Sequence, residues 1–434
     1  MTTPADALQA VSVHHTETLL FFTLLQLAII ILAARAGGIL AVRWGQSSAV
    51  GEIIVGILLG PSLFGWAMPE VFDYVFHSAP PEPMQILSQV GLLLLMFQIG
   101  LEFDFGHLNE RKHRRTVMWV AGAGLLTPFA LGFGLGWTVP AMQVPGNSAL
   151  LTGLFIATAF SITALPILGR IMIEFQLTRS PLGVIAISAA AINDVIGWLL
   201  LALVSTLAVS HFQPLAFGLK IAMVLGFFAL CWWGVRPLAK RMVRAARPRR
   251  GRFPPTLMGA LLALIFVAGM STYQLGIFAI FGGFMMGVIL HDEPGLREAW
   301  NTRVGHFVTV FFLPIFFTYT GLRTDIGSLD SLEAWGWCAL VVGLATLGKF
   351  GGSWLAARRC GLGHHEASIL GIMMNTRALM ELVVINVGYD LGVISQEVFT
   401  MLVIMAIAST VVTTPCLRWW LPKIGHRLPA AVRE

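Results

Sequence analysis

The chain has 434 residues, 56% of them hydrophobic and only 12% charged, with a mean hydropathy of +0.79. Soluble domains carry roughly 25% charged residues, so the composition excludes an ordinary globular enzyme or binding module and points to a polytopic membrane protein. The formal net charge of +6 would suit nucleic acid if the basic side chains shared one face. They lie instead in short loops between apolar runs, and no nucleic-acid partner is expected.

Crossing the roughly 30 Å of bilayer hydrocarbon takes about 20 helical residues. Thirteen apolar runs qualify in chain order: about 19–36, 49–64, 86–101, 116–139, 149–172, 182–210, 215–235, 256–270, 275–290, 304–321, 334–357, 367–386 and 398–420. The first basic residue, Arg35, comes behind an apolar stretch. A cleavable signal peptide with a basic leader is therefore not expected, and the first span is retained.

Placing the loops on alternate sides puts nearly all of the 28 Lys and Arg residues on one side, against Arg323 alone on the other. Lys220, Lys349 and Arg377 fall inside runs. The bias predicts an amino end outside and a carboxyl end in the cytoplasm. The outer loops collect Glu70, Asp73, Glu82, Asp325, Asp330, Glu333, Asp390 and Glu397, read as the solvated face of short loops. The sequence stops soon after the last run, so no regulatory domain is expected to follow.

The third run ends in Gly100-Leu101-Glu102-Phe103-Asp104 and the tenth in Gly321-Leu322-Arg323-Thr324-Asp325. An odd separation in runs puts the two copies at opposite faces, as an inverted-topology repeat requires. The repeat pairs the fifth run with the twelfth, and such folds bind substrate where equivalent helices are interrupted. The fifth run contains Ser161-Ile162-Thr163-Ala164-Leu165-Pro166. Pro166 has no N–H and its ring clashes with the Ile162 carbonyl; flanked by two hydroxyls, that carbonyl becomes a ready cation ligand. The twelfth run carries Asn375, Thr376, Arg377 and Glu381 and no proline, so an interruption there rests on Gly371, Asn375 and Thr376.

An ionisable residue in mid-span costs about 2.5–3.5 kcal/mol on insertion scales and is by default a functional hypothesis. Asp194 lies near the middle of the sixth run, with Ala190, Ala191 and Gly197 on its own helix face. Small residues there let another backbone approach the carboxylate. Lys349 lies equally deep in the eleventh run, and Arg377 and Glu381, four apart, form a pair read as structural. Asp194 could be locked in an ion pair with Lys349, or it could bind ions reversibly. A carboxylate that holds either a proton or a metal cation, in a bundle that alternates between faces, is an exchanger.

Hard oxygen donors favour Na⁺ or K⁺ over a transition metal. Because the neighbour is Asn193 and not a second acid, the simplest cycle exchanges one proton for one monovalent cation without net charge movement. A gated K⁺ path, with Asp194 lining a pore, is the alternative on the same scaffold. Gly343 to Lys349 fits the start of a phosphate-binding loop, but Phe350 follows where Ser or Thr is needed and the run is apolar throughout. Cys231, Cys338, Cys360 and Cys416 show no metal or disulfide spacing. The pairs His14-His15 and His364-His365 read as solvated, and Gly132/Gly136 and Gly283/Gly287 as helix-packing sites. Neither enzymatic activity nor a cofactor is expected; the ligands are the transported ions.

Four segments resemble the monovalent cation:proton antiporter-2 family, including its Kef-type and plant cation/H⁺ exchanger branches. They are Gly51-Glu52-Ile53-Ile54-Val55-Gly56-Ile57-Leu58-Leu59-Gly60-Pro61, Ser161 to Arg170, Ala190-Ala191-Ile192-Asn193-Asp194, and Met374-Asn375-Thr376-Arg377-Ala378-Leu379-Met380-Glu381-Leu382. The resemblance implies a sodium/proton antiporter-like, all-α membrane fold of 13 helices with inverted repeats and two crossing discontinuous helices. It implies one transporter domain over residues 1–434. In it, core bundles 116–210 and 334–420 move, as an elevator, against a dimerisation scaffold of 19–101 and 256–321, with 215–235 as linker. Asp194 would be the cation and proton site, Asn193 its neighbour, and Lys349 and Arg377 the counter-charges near the crossing. The Asn-Asp pair resembles that of electroneutral members. Kef-type members usually carry a cytoplasmic nucleotide-binding domain, and its absence here argues against such gating. A homodimer in a bacterial inner membrane is expected.

Overall fold

A computed structural model describes residues 4–103, 110–209, 214–246, 253–322, 329, 331–377 and 379–428, and among these every regular element is helical. The chain opens with α1 (Pro4–Arg43), α2 (Ser48–Leu59), the short α3 (Pro69–Phe76), α4 (Glu82–Glu102) and α5 (Arg111–Thr138). It continues through α6 (Ala149–Ser161), α7 (Leu165–Glu174), α8 (Pro181–Val209), α9 (Pro214–Leu230) and α10 (Arg236–Ala245). Next come α11 (Pro255–Gln274), α12 (Ile280–Leu290), α13 (Leu296–Trp300), α14 (Leu313–Leu322) and α15 (Leu332–Thr346). The last are α16 (Gly352–Arg359), α17 (His364–Met374), α18 (Leu379–Asp390) and α19 (Gln396–Trp420).

Among the described residues ten stretches are long and apolar enough to cross a membrane, and a pair bent by 45°, Leu296–Gly305 and Val308–Tyr319, makes eleven. The chain is therefore an all-α, multi-pass membrane protein. Two of the predicted runs take another form. Residues 275–290 yield only the short helix α12, and 367–386 are divided between α17 and α18. Of the Gly-Leu-x-x-Asp repeat, Asp104, Arg323, Thr324 and Asp325 lie outside the described residues, as do the side chains of His14 and His15.

The fifth run breaks where the proline predicts. α6 stops at Ser161, Ile162 turns extended (φ −68°, ψ 144°), and α7 restarts with Pro166 in its first turn. There the missing N–H costs nothing, since first-turn N–H groups have no intrahelical acceptor. Lys349 occupies a π-helical turn, Leu347–Gly351, joining α15 to α16; such local widening commonly marks functional positions.

Small residues set the helix spacing. In lipid the hydrophobic effect does not drive helices together, so association relies on close backbone contact. A Cβ on Gly132 would lie 2.9 Å from Ala157 Cα, and one on Gly136 would lie 2.9 Å from Gly153 Cα, so α5 and α6 touch along their backbones. Gly348 and Gly352 seat the Lys349 turn in the same way against Pro128 and Ala123 of α5. Gly283 and Gly287 meet the backbone of α4, as their spacing predicts. α8 packs against α5, α6, α7 and α17 and carries Asp194 into the centre of this group. By contrast α9, α10 and the turn between them expose Leu215, Leu219, Leu225, Trp233 and Leu238. α10 is fastened by Lys240 (2.5 Å) and Arg236 (3.2 Å) to Asp292.

These contacts predict opposite outcomes for two neighbouring substitutions. Gly132→Ala should destabilise by about 1–3 kcal/mol through overpacking. Gly134→Ala, where a Cβ meets nothing within 4 Å, should be neutral or slightly stabilising, because alanine favours the helix. Thermal unfolding of both purified variants checks this.

Candidate functional site

The site begins with an unmet demand of the backbone. The last carbonyls of a helix have no intrahelical donor, and α6 ends in the interior, with Phe160 and Ser161 fully buried. Two cations supply the donors. Arg377 Nη1 donates to Ala159 O (3.2 Å) and Nη2 to Phe160 O (2.7 Å), while Lys349 Nζ donates to Ser161 O. Positive charge at a helix C-terminus is also favoured by the aligned peptide dipoles. Arg377 reaches Ala345 O as well (3.2 Å) and pairs with Glu381 (3.3 Å), and both partners are wholly buried. Glu381 sits in the first turn of α18, the end of a helix that favours an anion.

The interruption in the twelfth run falls after α17, whose C-terminal cap is Asn375. The two interruptions touch directly, since Ala164 N–H donates to Thr376 O at 3.1 Å. Thr376 Oγ1 lies 3.2 Å from Thr413 Oγ1 of α19. Beside them runs α8, where the missing side chain of Gly197 makes room for Ile162, whose Cγ1 would lie 2.6 Å from a Cβ there. The close approach expected from the small residues around Asp194 is thus made by the extended segment between α6 and α7.

Asp194 and Asn193 are fully buried, and neither side chain has a hydrogen-bond partner among the described residues. The Lys349 ammonium is engaged by the Ser161 carbonyl, so the fixed Asp194–Lys349 ion pair is not the arrangement found. The Thr163 and Ser353 hydroxyls and the Asn375 amide are likewise buried and unpartnered. The Ser161 hydroxyl is committed to Ala157 O (2.7 Å) and Leu125 O (3.1 Å). Buried oxygens left unsatisfied, as these are, are costly in a protein interior. It is also the donor set that a dehydrated alkali cation accepts.

The sequence reading missed a polar seam at the end of the molecule rich in Lys and Arg. Glu174, at the end of α7, accepts from Ser47 Oγ (2.5 Å) and Ser48 Oγ (2.6 Å) at the start of α2, and pairs with Arg170 (3.1 Å). Nearby, Glu52 is 3% exposed and feels the charges of Arg170 and Arg35. The signal was present, because Arg170 and Glu174 stand four apart. Ser353 was also missed, although it follows Lys349 by one helical turn.

The Sodium/hydrogen exchanger transmembrane family model matches residues 27–423. The chain is similar to the Na⁺/H⁺ antiporter NhaS4 of Synechocystis sp., with 36% identity over 95% of this chain and 100% of that protein. It is 34% identical to cation/H⁺ antiporter 17 of Arabidopsis thaliana over 90% of its own length, and spans 47% of that longer relative. In structure it resembles the sodium proton antiporter MjNhaP1 of Methanocaldococcus jannaschii, with a TM-score of 0.59 at 13% identity over 93% of this chain and 97% of the other. That likeness is one of fold.

The ion pair at the crossing predicts a coupled stability response. Arg377→Met leaves Glu381 and three carbonyls without their donor and should destabilise by about 3–5 kcal/mol. Adding Glu381→Leu should return part of that loss, because it removes the stranded charge. Thermal unfolding of the single and double variants measures the coupling.

Proposed function

We propose a transport cycle for this chain, which belongs to the sodium/hydrogen exchanger family and is a monovalent cation/proton antiporter. In this cycle Asp194 binds either H⁺ or one Na⁺ or K⁺, with Asn193, Thr163, Ser161 and the Ile162 backbone as its neighbours. Lys349 and Arg377 hold the broken end of α6 in shape around the ion, and Glu381 balances Arg377. The observation that carries this reading is the burial of Asp194 without any hydrogen-bond partner among the described residues, next to two interrupted helices that touch.

Coupling follows from desolvation. An ionised carboxylate in the membrane interior is expensive, whereas one holding a proton or an alkali cation is neutral overall. The loaded carrier can change its exposure and the empty one cannot, so each ion moves only against the other. Asn193 supplies an oxygen without a second charge, which makes the exchange one for one and electroneutral. Residues 116–210 and 334–420 carry the site as an elevator against 19–101 and 256–321, with 215–235 as linker. The full count is thirteen spans related by an inverted repeat, with α6–α7 and α17–α18 as the crossing discontinuous helices. Asp194 is closed off here, and the Glu174 seam, joining α2 to α7, shuts the Lys- and Arg-rich end. The proposed setting is a homodimer in a bacterial inner membrane, with the amino end outside and the carboxyl end cytoplasmic.

Proteoliposomes with an internal pH dye test the assignment. Adding Na⁺ or K⁺ should move protons at the same rate whether or not the membrane potential is clamped. Asp194→Asn should abolish exchange while the protein still folds in the membrane. Exchange retained by that variant would reject Asp194 as the ion site, and cation flux without proton movement would favour a channel.

A further inference from the structure

We propose that the groove between the C-terminal ends of α1 and α19 binds a phosphate-class anion, supplied by the headgroup of an anionic phospholipid. The groove is shallow and open, with a volume of about 550 Å³, and is lined by Arg43, Trp44, Gly45, Pro415, Arg418 and Trp419. Arg43 stands in the last turn of α1 and Arg418 in the last turn of α19. Among the described residues neither guanidinium has an acidic partner or a hydrogen bond, although five other Lys and Arg side chains near loops, such as Arg170 and Lys240, do form ion pairs.

The groove is built before any ligand arrives. Gly45 turns with φ +75°, and a Cβ there would collide with the Arg418 guanidinium, so the side chain lies against this backbone. Gln46 Nε2 then donates to Val411 O (3.1 Å), fixing the turn after α1 to the side of α19. Each guanidinium stands at its own helix C-terminus, which favours a cation; the dipoles do not account for the convergence of both on one opening between two indoles. Trp44 and Trp419 are 77% and 64% exposed, as tryptophans at headgroup depth are. Lys423 lies 3.8 Å over the Trp419 ring, adding a third positive charge at the rim.

The chemistry selects the ligand. Guanidinium forks match phosphate oxygens bidentately and are weakly hydrated. The groove opens at the end of the molecule where Lys and Arg concentrate, and basic pockets between helices on that side of a membrane suit anionic headgroups. A headgroup held there would contact both α1 and α19 and so resist their separation.

The full chain, purified in detergent, tests this by thermal unfolding with added phosphatidylglycerol, phosphatidylcholine or inorganic phosphate. Phosphatidylglycerol should raise the melting temperature of the wild type, and the other two should not. Arg43→Gln/Arg418→Gln should lose most of that rise. Native mass spectrometry on the same double variant, and on Arg418→Gln alone if the double variant is poorly folded, should show about tenfold weaker retention of phosphatidylglycerol. An equal response of variant and wild type to phosphatidylglycerol would overturn the site. A rise with phosphate alone, lost in the variant, would overturn the lipid as its source.

Discussion

The C-terminus of α6 in the apolar interior is the constraint on which the centre of this protein depends. Terminal carbonyls cannot be left to lipid or to a dry core, where each unsatisfied group costs several kcal/mol. Lys349 and Arg377 answer that demand from two separate parts of the chain, the π-helical turn after α15 and the interruption after α17. Because three carbonyls engage these two cations, the break in α6–α7, the turn holding Lys349 and the break in α17–α18 form one structural unit. Lys349 and Arg377, expected from the resemblance to be counter-charges near the crossing, thus also have a definite mechanical task.

That task leaves Asp194 free. Had Lys349 paired with the carboxylate, the acid would be locked and its exchange of ligands costly. With the ammonium held by Ser161 O, it is near enough to influence Asp194 electrostatically and yet does not occupy its oxygens. The proposed competition between proton and cation needs this division of labour: fixed positive charge on the backbone, and a carboxylate with unspent acceptors beside Asn193 and Thr163. The glycine contacts of α5 serve the same end, bringing the backbone against both α6 and the Lys349 turn.

Around this centre the membrane-end chemistry is of a different kind. The Glu174 seam joins α2 to α7 through short hydroxyl–carboxylate hydrogen bonds, which can be exchanged for bonds to water at modest net cost. The α9–α10 segment, though largely exposed, buries Val224, Ala239 and Val243 and is tied by ion pairs to Asp292 and Glu293, and those that face solvent are individually weak. Motion is easier at such contacts than at the buried α6 cap.

Much of the architecture was legible in the sequence. Apolar runs of bilayer length fixed the fold class, because a spanning backbone must satisfy itself within a helix. Pro166 located one interruption, and the depth of Asp194, Lys349, Arg377 and Glu381 marked them as costly, hence informative. The i,i+4 pairing of Arg377 and Glu381 also follows from local geometry alone. What the sequence left open was every partnership between distant segments: Lys349 with Ser161 O, Arg377 with the end of α6, Ala164 with Thr376, Ser47 and Ser48 with Glu174. These depend on which helices lie side by side, and helical periodicity says only which face is buried, not what it is buried against. Tertiary packing alone decided whether the ammonium of Lys349 would go to a carboxylate or to a carbonyl, because that choice is set by sub-ångström placement of elements nearly two hundred residues apart.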